Sequence, residues 1–308
     1  MFRKFNLYCL FFLGIAGLDA KLEDHFKKAK DKSPIHKMEN IDYIYMINLD
    51  QRPEKYQKSL DQLLPYGIHP YRFSAVNGWE LSAETIDDIG VKYGPGMLGG
   101  FMGSCFLSDD RSPTDVEVEY YGQTYFCHGT SRGCIGIVLS HLSVLQDAYD
   151  AGYETVWVME DDIEIIKDPT VIPALIHRLD EEVGGDWDVF FTDLDIRGAS
   201  GDYVPSYGYA KRPNFFTNDL TRFYDRPVVG EIFRKIGSRF GAHSVIYRRS
   251  GMKKILDFMK EHNVYLPYDM EFYLPPGIQM YSVLDDVVGN LPKGLSDNAS
   301  PGYLNKAK

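Results

Sequence analysis

The chain has 308 residues, of which 44% are hydrophobic and 25% charged, and a formal net charge of -11. That length and apolar content can fill a sizeable core and exclude a disordered or fibrous chain. Lys and Arg are scattered without a basic block, so a phosphate backbone would meet repulsion over most of the surface and no nucleic-acid partner is expected.

The N-terminus runs Met1-Phe2-Arg3-Lys4, then a mostly apolar stretch from Leu7 to Leu18, ending near Asp19-Ala20. A short basic region before an apolar one reads as a signal peptide over residues 1–20, which directs the chain to the secretory pathway or to export. The alternatives are a cytoplasmic chain that buries this segment as a helix, or one anchored to a membrane by residues 7–18; that stretch is shorter than the ~20 apolar residues of a comfortable span. Residues 21–40 form a polar lead-in. Outside the leader only Cys105, Cys127 and Cys134 remain, enough for one internal disulfide and not for a disulfide-built scaffold.

From Ile41 the chain alternates strands and helices. Ile41 to Leu49 is strand-like; Asp50 is a candidate N-cap, Pro53 sits in a first turn, and a helix with Tyr56, Leu60, Leu63 and Leu64 inward runs to Gly67. Tyr71 to Val76 reads as a second strand and Ser82 to about Ile89 as a second helix. Gly94 to Ser104 holds five glycines and reads as a loop. Alternation from Val116 to Phe126 around Gly122-Gln123 predicts a hairpin inserted at the edge of the main sheet. From Gly133 the apolar residues Ile135, Val138, Leu142, Leu145 and Tyr149 step by three and four, which predicts a helix stopped at Gly152. Thr155 to Met159 is apolar without alternation, as expected of a strand covered on both faces. Asp188 to Thr192 and His243 to Tyr247 are further strands, the latter leading into a helix begun by Ser250. Between them, Gly198 to Gly241 is a long, aromatic-rich excursion. The expected fold is α/β, one domain over residues 41–290 with a mostly parallel central sheet flanked by helices, followed by a tail over 291–308.

The chemistry gathers at strand ends. Glu160, Asp161 and Asp162 follow the apolar strand directly; such a run of carboxylates is self-repelling unless something positive joins it, and Mg²⁺ or Mn²⁺ suits hard oxygen ligands in the crevice at the carboxyl ends of strands. Asp193-Leu194-Asp195 after another strand is a rival cation site. Cys127, His128, Cys134 and His141 have no common zinc spacing.

In order and spacing, Tyr45 to Arg52 (YMINLDQR), Ser74 to Gly78 (SAVNG), Gly133 to His141 (GCIGIVLSH), Val158 to Asp162 (VMEDD), Gly241 to Ile255 and Leu266-Pro267-Tyr268-Asp269 resemble glycosyltransferase family 25, which includes lipopolysaccharide-type and collagen-type β-galactosyltransferases. The resemblance implies a GT-A-like fold, a nucleotide-sugar donor of which a UDP-sugar is the first expectation, and transfer of galactose or another hexose with inversion. The acceptor would be a glycan, lipid-linked or protein-linked, with peripheral membrane association as a further expectation. It implies that Asn48, Leu49, Arg52, Ala75, Val76, Asn77, Gly78, Ser140 and His141 line the donor site, that Glu160, Asp161 and Asp162 hold the cation, and that Arg52 meets phosphate through its planar fork. Two positions depart from the family pattern: Lys55 stands where a second arginine is frequent, and Asn77 where an aspartate is usual.

Inversion needs a base for the acceptor hydroxyl, and Asp269 is the candidate, with Glu271 in reserve and a cation-ligand role for Asp269 as the alternative. Aromatic residues of the excursion, such as Tyr203, Tyr209 and Phe216, could stack on sugars, and Arg222, Arg226 and Arg234 would suit an acidic acceptor. The competing functions are a catalytically inactive glycan-binding protein on the same fold and a nucleotidyltransferase; the latter lacks a Gly-rich basic phosphate loop.

Overall fold

A computed structural model describes residues 20–107, 112–291 and 296–303. The expected leader therefore lies, but for Ala20, outside the described residues, and among these no helix is long and apolar enough to cross a membrane.

The N-terminal half is built around two parallel strands, β1 (Tyr43–Asn48) and β7 (Thr155–Glu160), which pair from Tyr43 opposite Val156 to Ile47 opposite Glu160. Every residue of β1 is buried, which explains the unbroken apolar run: a strand with helices on both faces has no polar side to show. After β1 the chain enters α1 (Pro53–Leu63), whose N-cap is Arg52 without a side-chain cap bond. Asp50, the expected cap, instead accepts hydrogen bonds from Arg72 and Ser74 of β2 (Tyr71–Ser74). Helix α2 (Ala83–Ile89) is capped by the Ser82 hydroxyl, which accepts from the Thr85 amide.

The expected hairpin after Val116 takes another form. Strands β3 (Val91–Lys92), β4 (Met102–Cys105), β5 (Thr114–Glu117) and β6 (Thr124–Cys127) make a separate antiparallel sheet in the order β3-β6-β4-β5. Here β5 and β6 pair with β4 and not with each other; the end of the Gly-rich loop supplies the strand between them, which alternation in either flank could not disclose.

Helix α3 (Arg132–Asp150) starts at the Ser131 cap, which accepts from the Cys134 amide. A short strand, β8 (Ile163–Ile165), continues from the acidic turn after β7 and pairs with a segment later in the chain. Helix α4 (Ile172–Val183) and strand β9 (Val189–Phe191) follow. The excursion then contributes β10 (Val228–Val229) and β11 (Phe233–Ile236) to the sheet edge, and β12 (Ser244–Arg248) leads into α5 (Arg249–His262). Strand β13 (Met280–Val283) joins the main sheet, and β14 (Val288–Asn290) pairs antiparallel with β8.

The main sheet has the order β10-β11-β13-β9-β12-β7-β1-β2. It is mixed and not mostly parallel: β1 pairs parallel with β2 and β7, and β13 with β9, while β12 runs antiparallel between β7 and β9, and β10, β11 and β13 are joined antiparallel. A central strand is apolar on both faces in either direction, so hydropathy carries no direction for β12. Alternate residues feed two cores. Tyr43, Tyr45, Val156, Val158, Val245 and Tyr247 pack with α3 and α5, whereas Ile44, Met46, Trp157, Met159 and Ile246 pack with α1 and α4.

The segment after β2 is pressed against α3 by two facing glycines. A Cβ on Gly78 would lie 1.8 Å from the Arg132 carbonyl oxygen, and one on Gly136 would lie 2.6 Å from the Gly78 amide nitrogen. Gly136→Ala is expected to destabilise the protein by about 2–3 kcal/mol through overpacking against backbone, whereas Gly94→Ala, where an added Cβ meets nothing within 4 Å, should stay within about 0.5 kcal/mol of wild type. Chemical denaturation midpoints of the two variants check the difference.

Candidate active site

Because β1 and β7 are parallel neighbours in register, their carboxyl ends open at one place. Asn48 ends β1 and Glu160 ends β7, so the acidic turn stands beside the Asn48-Leu49 turn, the arrangement in which open α/β sheets bind ligands. The segment Ala75 to Trp79 closes one side and the first turns of α3 another. The resulting cavity is lined by Asn48, Leu49, Ala75, Val76, Asn77 and Gly78, by Ser140 and His141, and by all three acidic residues. Of the nine residues expected to line the donor site, Arg52 alone is absent from this wall.

Several of these side chains serve the frame of the cavity. The Asn48 amide is fully engaged: Nδ2 donates to the Arg52 carbonyl at 2.8 Å and to Asp161 Oδ2 at 2.6 Å, and Oδ1 accepts from Arg72 Nε at 2.7 Å. The Ser140 hydroxyl accepts from the Val76 amide at 2.8 Å while donating to the Gly136 carbonyl at 2.6 Å, tying the segment after β2 to α3. Asn77 accepts from the Trp79 amide and donates to the Tyr303 hydroxyl. Arg52 is buried beneath the wall with its Nε 3.2 Å from Asp297 Oδ2. Lys55, noted in the sequence only as a departure, reaches the wall, 3.4 Å from the same oxygen.

The three carboxylates do not point at one spot. Glu160 Oε1 lies 3.0 Å from His141 Nε2, and the His141 ring stacks on Tyr268 with 4.2 Å between centroids. Burial opposes the charge of Glu160, but the His141 contact together with the nearby His243 and Lys55 holds the carboxyl below its ordinary value. Asp161 faces Asn48. Asp162 keeps a buried Oδ1 with no hydrogen-bond partner. Burial pushes both aspartates up to about 6, with carboxylate repulsion adding to the rise of Asp162. Among the described residues no three His, Cys, Asp or Glu side chains converge as a ready cation cage. The donor set suits a hard cation held by one or two carboxylates, with ligand oxygens and water completing its shell, the manner in which Mg²⁺ is commonly bound. The orphaned Asp162 oxygen is the group with valence to spare.

A second cavity adjoins the first and shares Ile137, Glu160, Asp162, Ser296 and Asn298 with it. Asp269 and His243 open into this second space. Asp269 Oδ2 accepts from the Gly241 amide at 2.9 Å; burial, stronger than that bond, raises its carboxyl. Glu271, the reserve base, is fully buried: it pairs with Arg212 at 2.9 Å and accepts from the Tyr265 and Leu266 amides. It braces the loop that carries Asp269 and reaches neither cavity.

The rival acidic pair is already neutralised. Asp193 Oδ2 accepts from Arg239 at 2.7 Å and lies 3.1 Å from His243 Nε2, and Asp195 pairs with Arg226. That pairing also consumes one of the three arginines expected to attract an acidic acceptor; Arg222 donates to the Leu274 and Pro275 carbonyls and Arg234 to the Arg226 carbonyl. The Cys and His residues weighed for zinc are partnered apart, His128 with Asp115 and His141 with Glu160.

Sequence reasoning missed Trp79, Ser296, Asp297 and Asn298 on the first wall. Trp79 Nε1 donates to the Asp297 carbonyl at 2.9 Å. These residues sit in a turn and in what reads as a plain polar tail, where no periodicity marks them.

The family model described as Glycosyltransferase family 25 (LPS biosynthesis protein) matches residues 41–271. A protein of Aedes aegypti named Glycosyltransferase 25 family member is 30% identical over 172 residues, 55% of this chain and 24% of that protein. Procollagen galactosyltransferase 1 of Danio rerio is 24% identical over 49% of this chain and 21% of its own length, and human Inactive glycosyltransferase 25 family member 3 is 25% identical over 55% and 26%. The chain thus spans about a quarter of the length of these curated relatives.

Glu271→Gln removes the counter-charge of a fully buried arginine, which typically costs about 3–5 kcal/mol. The expected outcome is a large drop in thermal midpoint, whereas Asp269→Asn, which keeps an acceptor for the Gly241 amide, should unfold near the wild-type temperature; calorimetry distinguishes the two.

Proposed function

Since the chain belongs to glycosyltransferase family 25, we propose that it transfers a sugar from a nucleoside-diphosphate donor in the first cavity to a glycan hydroxyl in the second. The observation that carries this reading is the shared wall: Glu160 and Asp162 border both spaces. A reaction that joins two substrates needs them held in contact at one point, and here that point is acidic and partly desolvated.

The donor is a UDP-sugar, of galactose or another hexose, and the fold is GT-A-like. The part of the cavity formed by Val76, Gly78, Trp79 and Ile137 is apolar and fits the flat face of a base, and the acidic turn lies at the diphosphate end. Mn²⁺ or Mg²⁺ held at Asp161 and Asp162 would neutralise the charge that develops on the departing diphosphate. Asn48 fixes the orientation of Asp161, and His141 engages Glu160, so Asp162 is the acidic side chain bordering both spaces that keeps an unpartnered oxygen.

Asp269 is the base. It stands in the second cavity, apart from the donor wall, on the side from which an acceptor hydroxyl would approach, and burial raises its carboxyl, which makes it a better proton acceptor than an ordinary surface aspartate. Attack from that side inverts the anomeric centre. The acceptor, a lipid-linked or protein-linked glycan, would run outward over the exposed Tyr209, Phe216 and Tyr224, a surface that also suits peripheral membrane association. A relative named inactive shows that family membership alone does not decide turnover; intact Asp162 and Asp269 favour an active protein.

The test follows nucleoside diphosphate release from a panel of nucleotide sugars as Mn²⁺ or Mg²⁺ is titrated. Release should depend on metal and should vanish in Asp162→Ala. Asp269→Asn should lower kcat by about 10²–10⁴-fold, the typical worth of a general base, while leaving donor affinity near wild type. A folded protein that binds no donor with either metal would overturn the proposal in favour of a glycan-binding role.

A further inference from the structure

Residues 296–303 are pinned to the donor cavity at three points. Trp79 Nε1 donates to the Asp297 carbonyl at 2.9 Å, Ser131 Oγ donates to the Asn298 carbonyl at 2.5 Å, and Asn77 Nδ2 donates to the Tyr303 hydroxyl at 2.9 Å. Gly133 admits this approach, since a Cβ there would lie 2.4 Å from the Asn298 carbonyl oxygen. The backbone of the segment is therefore part of the wall. The Asp297 side chain is held differently. Its Oδ2 is buried 3.2 Å from Arg52 Nε and 3.4 Å from Lys55 Nζ, yet neither that oxygen nor Arg52 Nε completes a hydrogen bond. Well-made charge-assisted bonds run nearer 2.7–2.9 Å.

The exposed Glu54 also brings Oε1 to 3.3 Å from Arg52 Nε, so Asp297 is the buried one of two anions on that guanidinium; it is held to Arg52 and Lys55 by charge, in a cavity that already contains Asp161 and Asp162. Carboxylates so placed repel one another, and an aspartate offers only two oxygens to cations that together carry more donors than it can satisfy. A diphosphate offers more oxygens and more charge. Resting on the donor reading above, we propose that Lys55 on the wall, backed by the charge of Arg52 beneath it, is a diphosphate subsite which Asp297 fills in the unliganded protein, so that the donor binds by displacing this internal carboxylate. A rotation about the Asp297 side-chain bonds suffices for the exchange, because the backbone anchors need not break. Asp297 then sets a threshold: a ligand with a single weak anion does not displace it, and a nucleoside diphosphate does.

The experiment measures binding of UDP and of inorganic pyrophosphate, each with Mn²⁺, to the full chain by calorimetry. Asp297→Asn keeps the shape and removes the competing charge; affinity for both probes should rise about tenfold, equivalent to about 1.4 kcal/mol. Asp297→Glu keeps an anion and should show no such gain. Asp297→Ala repeats the neutral test should the Asn variant misfold, with thermal unfolding as the check. Unchanged or weaker binding in the neutral variants, with wild type binding UDP, overturns this inference and leaves the donor reading standing. Absence of binding of either probe to every form overturns the donor reading and this inference with it.

Discussion

The structure is organised around the cost of burying carboxylates at the end of a central strand. Charges removed from water must be paired, hydrogen-bonded or neutralised, and the three acidic residues after β7 receive three different treatments. Glu160 meets His141, Asp161 meets Asn48, and Asp162 is left with an unpartnered oxygen. The Asp161 contact depends on parallel register, which sets Ile47 opposite Glu160 and so places Asn48 beside the turn, whereas the Glu160 contact depends on how α3 lies on the sheet. A shift of the β1–β7 register would unpair Asp161.

The same requirement explains why the two acidic motifs differ. On β9 the following Asp193 and Asp195 are closed off by Arg239 and Arg226, both from the long excursion or its end. The excursion therefore does structural work at the sheet: it adds β10 and β11 to the edge, stacks Tyr207 on the buried Phe223 at 4.0 Å, and neutralises the second acidic pair. What it leaves free is a set of exposed rings, the part of the segment available to a ligand. Glu271 and Arg212 repeat the pattern one layer away, where a fully paired charge holds the Asp269 loop in place.

Dynamics enter at the points where pairing is incomplete. Gly78 and Gly136 lock the segment after β2 to α3 at backbone distance, and the anchors of residues 296–303 fix the opposite wall, so the cavity is rigid in its backbone. The groups with unspent capacity are Asp162, Lys55 and Asp297, all side chains on that rigid frame. Binding and charge exchange can proceed there without moving the fold.

The sequence by itself determined part of the local structure: strands β1, β2, β7, β9 and β12 and helices α1, α2, α3 and α5, that Thr155 to Met159 is central, that an acidic turn follows it, and, through motifs in a fixed order, the family. These are legible because side-chain periodicity and short-range spacing are properties of the chain alone. Tertiary structure decided the rest. It ran β12 antiparallel, because apolar residues on both faces encode no direction, and it drew β4 from a Gly-rich loop between β5 and β6. It turned Glu271 and Arg52 inward to ion pairs, closed the Asp193–Asp195 pair with distant arginines, and brought Asp297 and Asn298 more than two hundred residues along the chain to the Asn48 turn. Which charge neutralises which is set by distances between remote segments, and no local pattern records them.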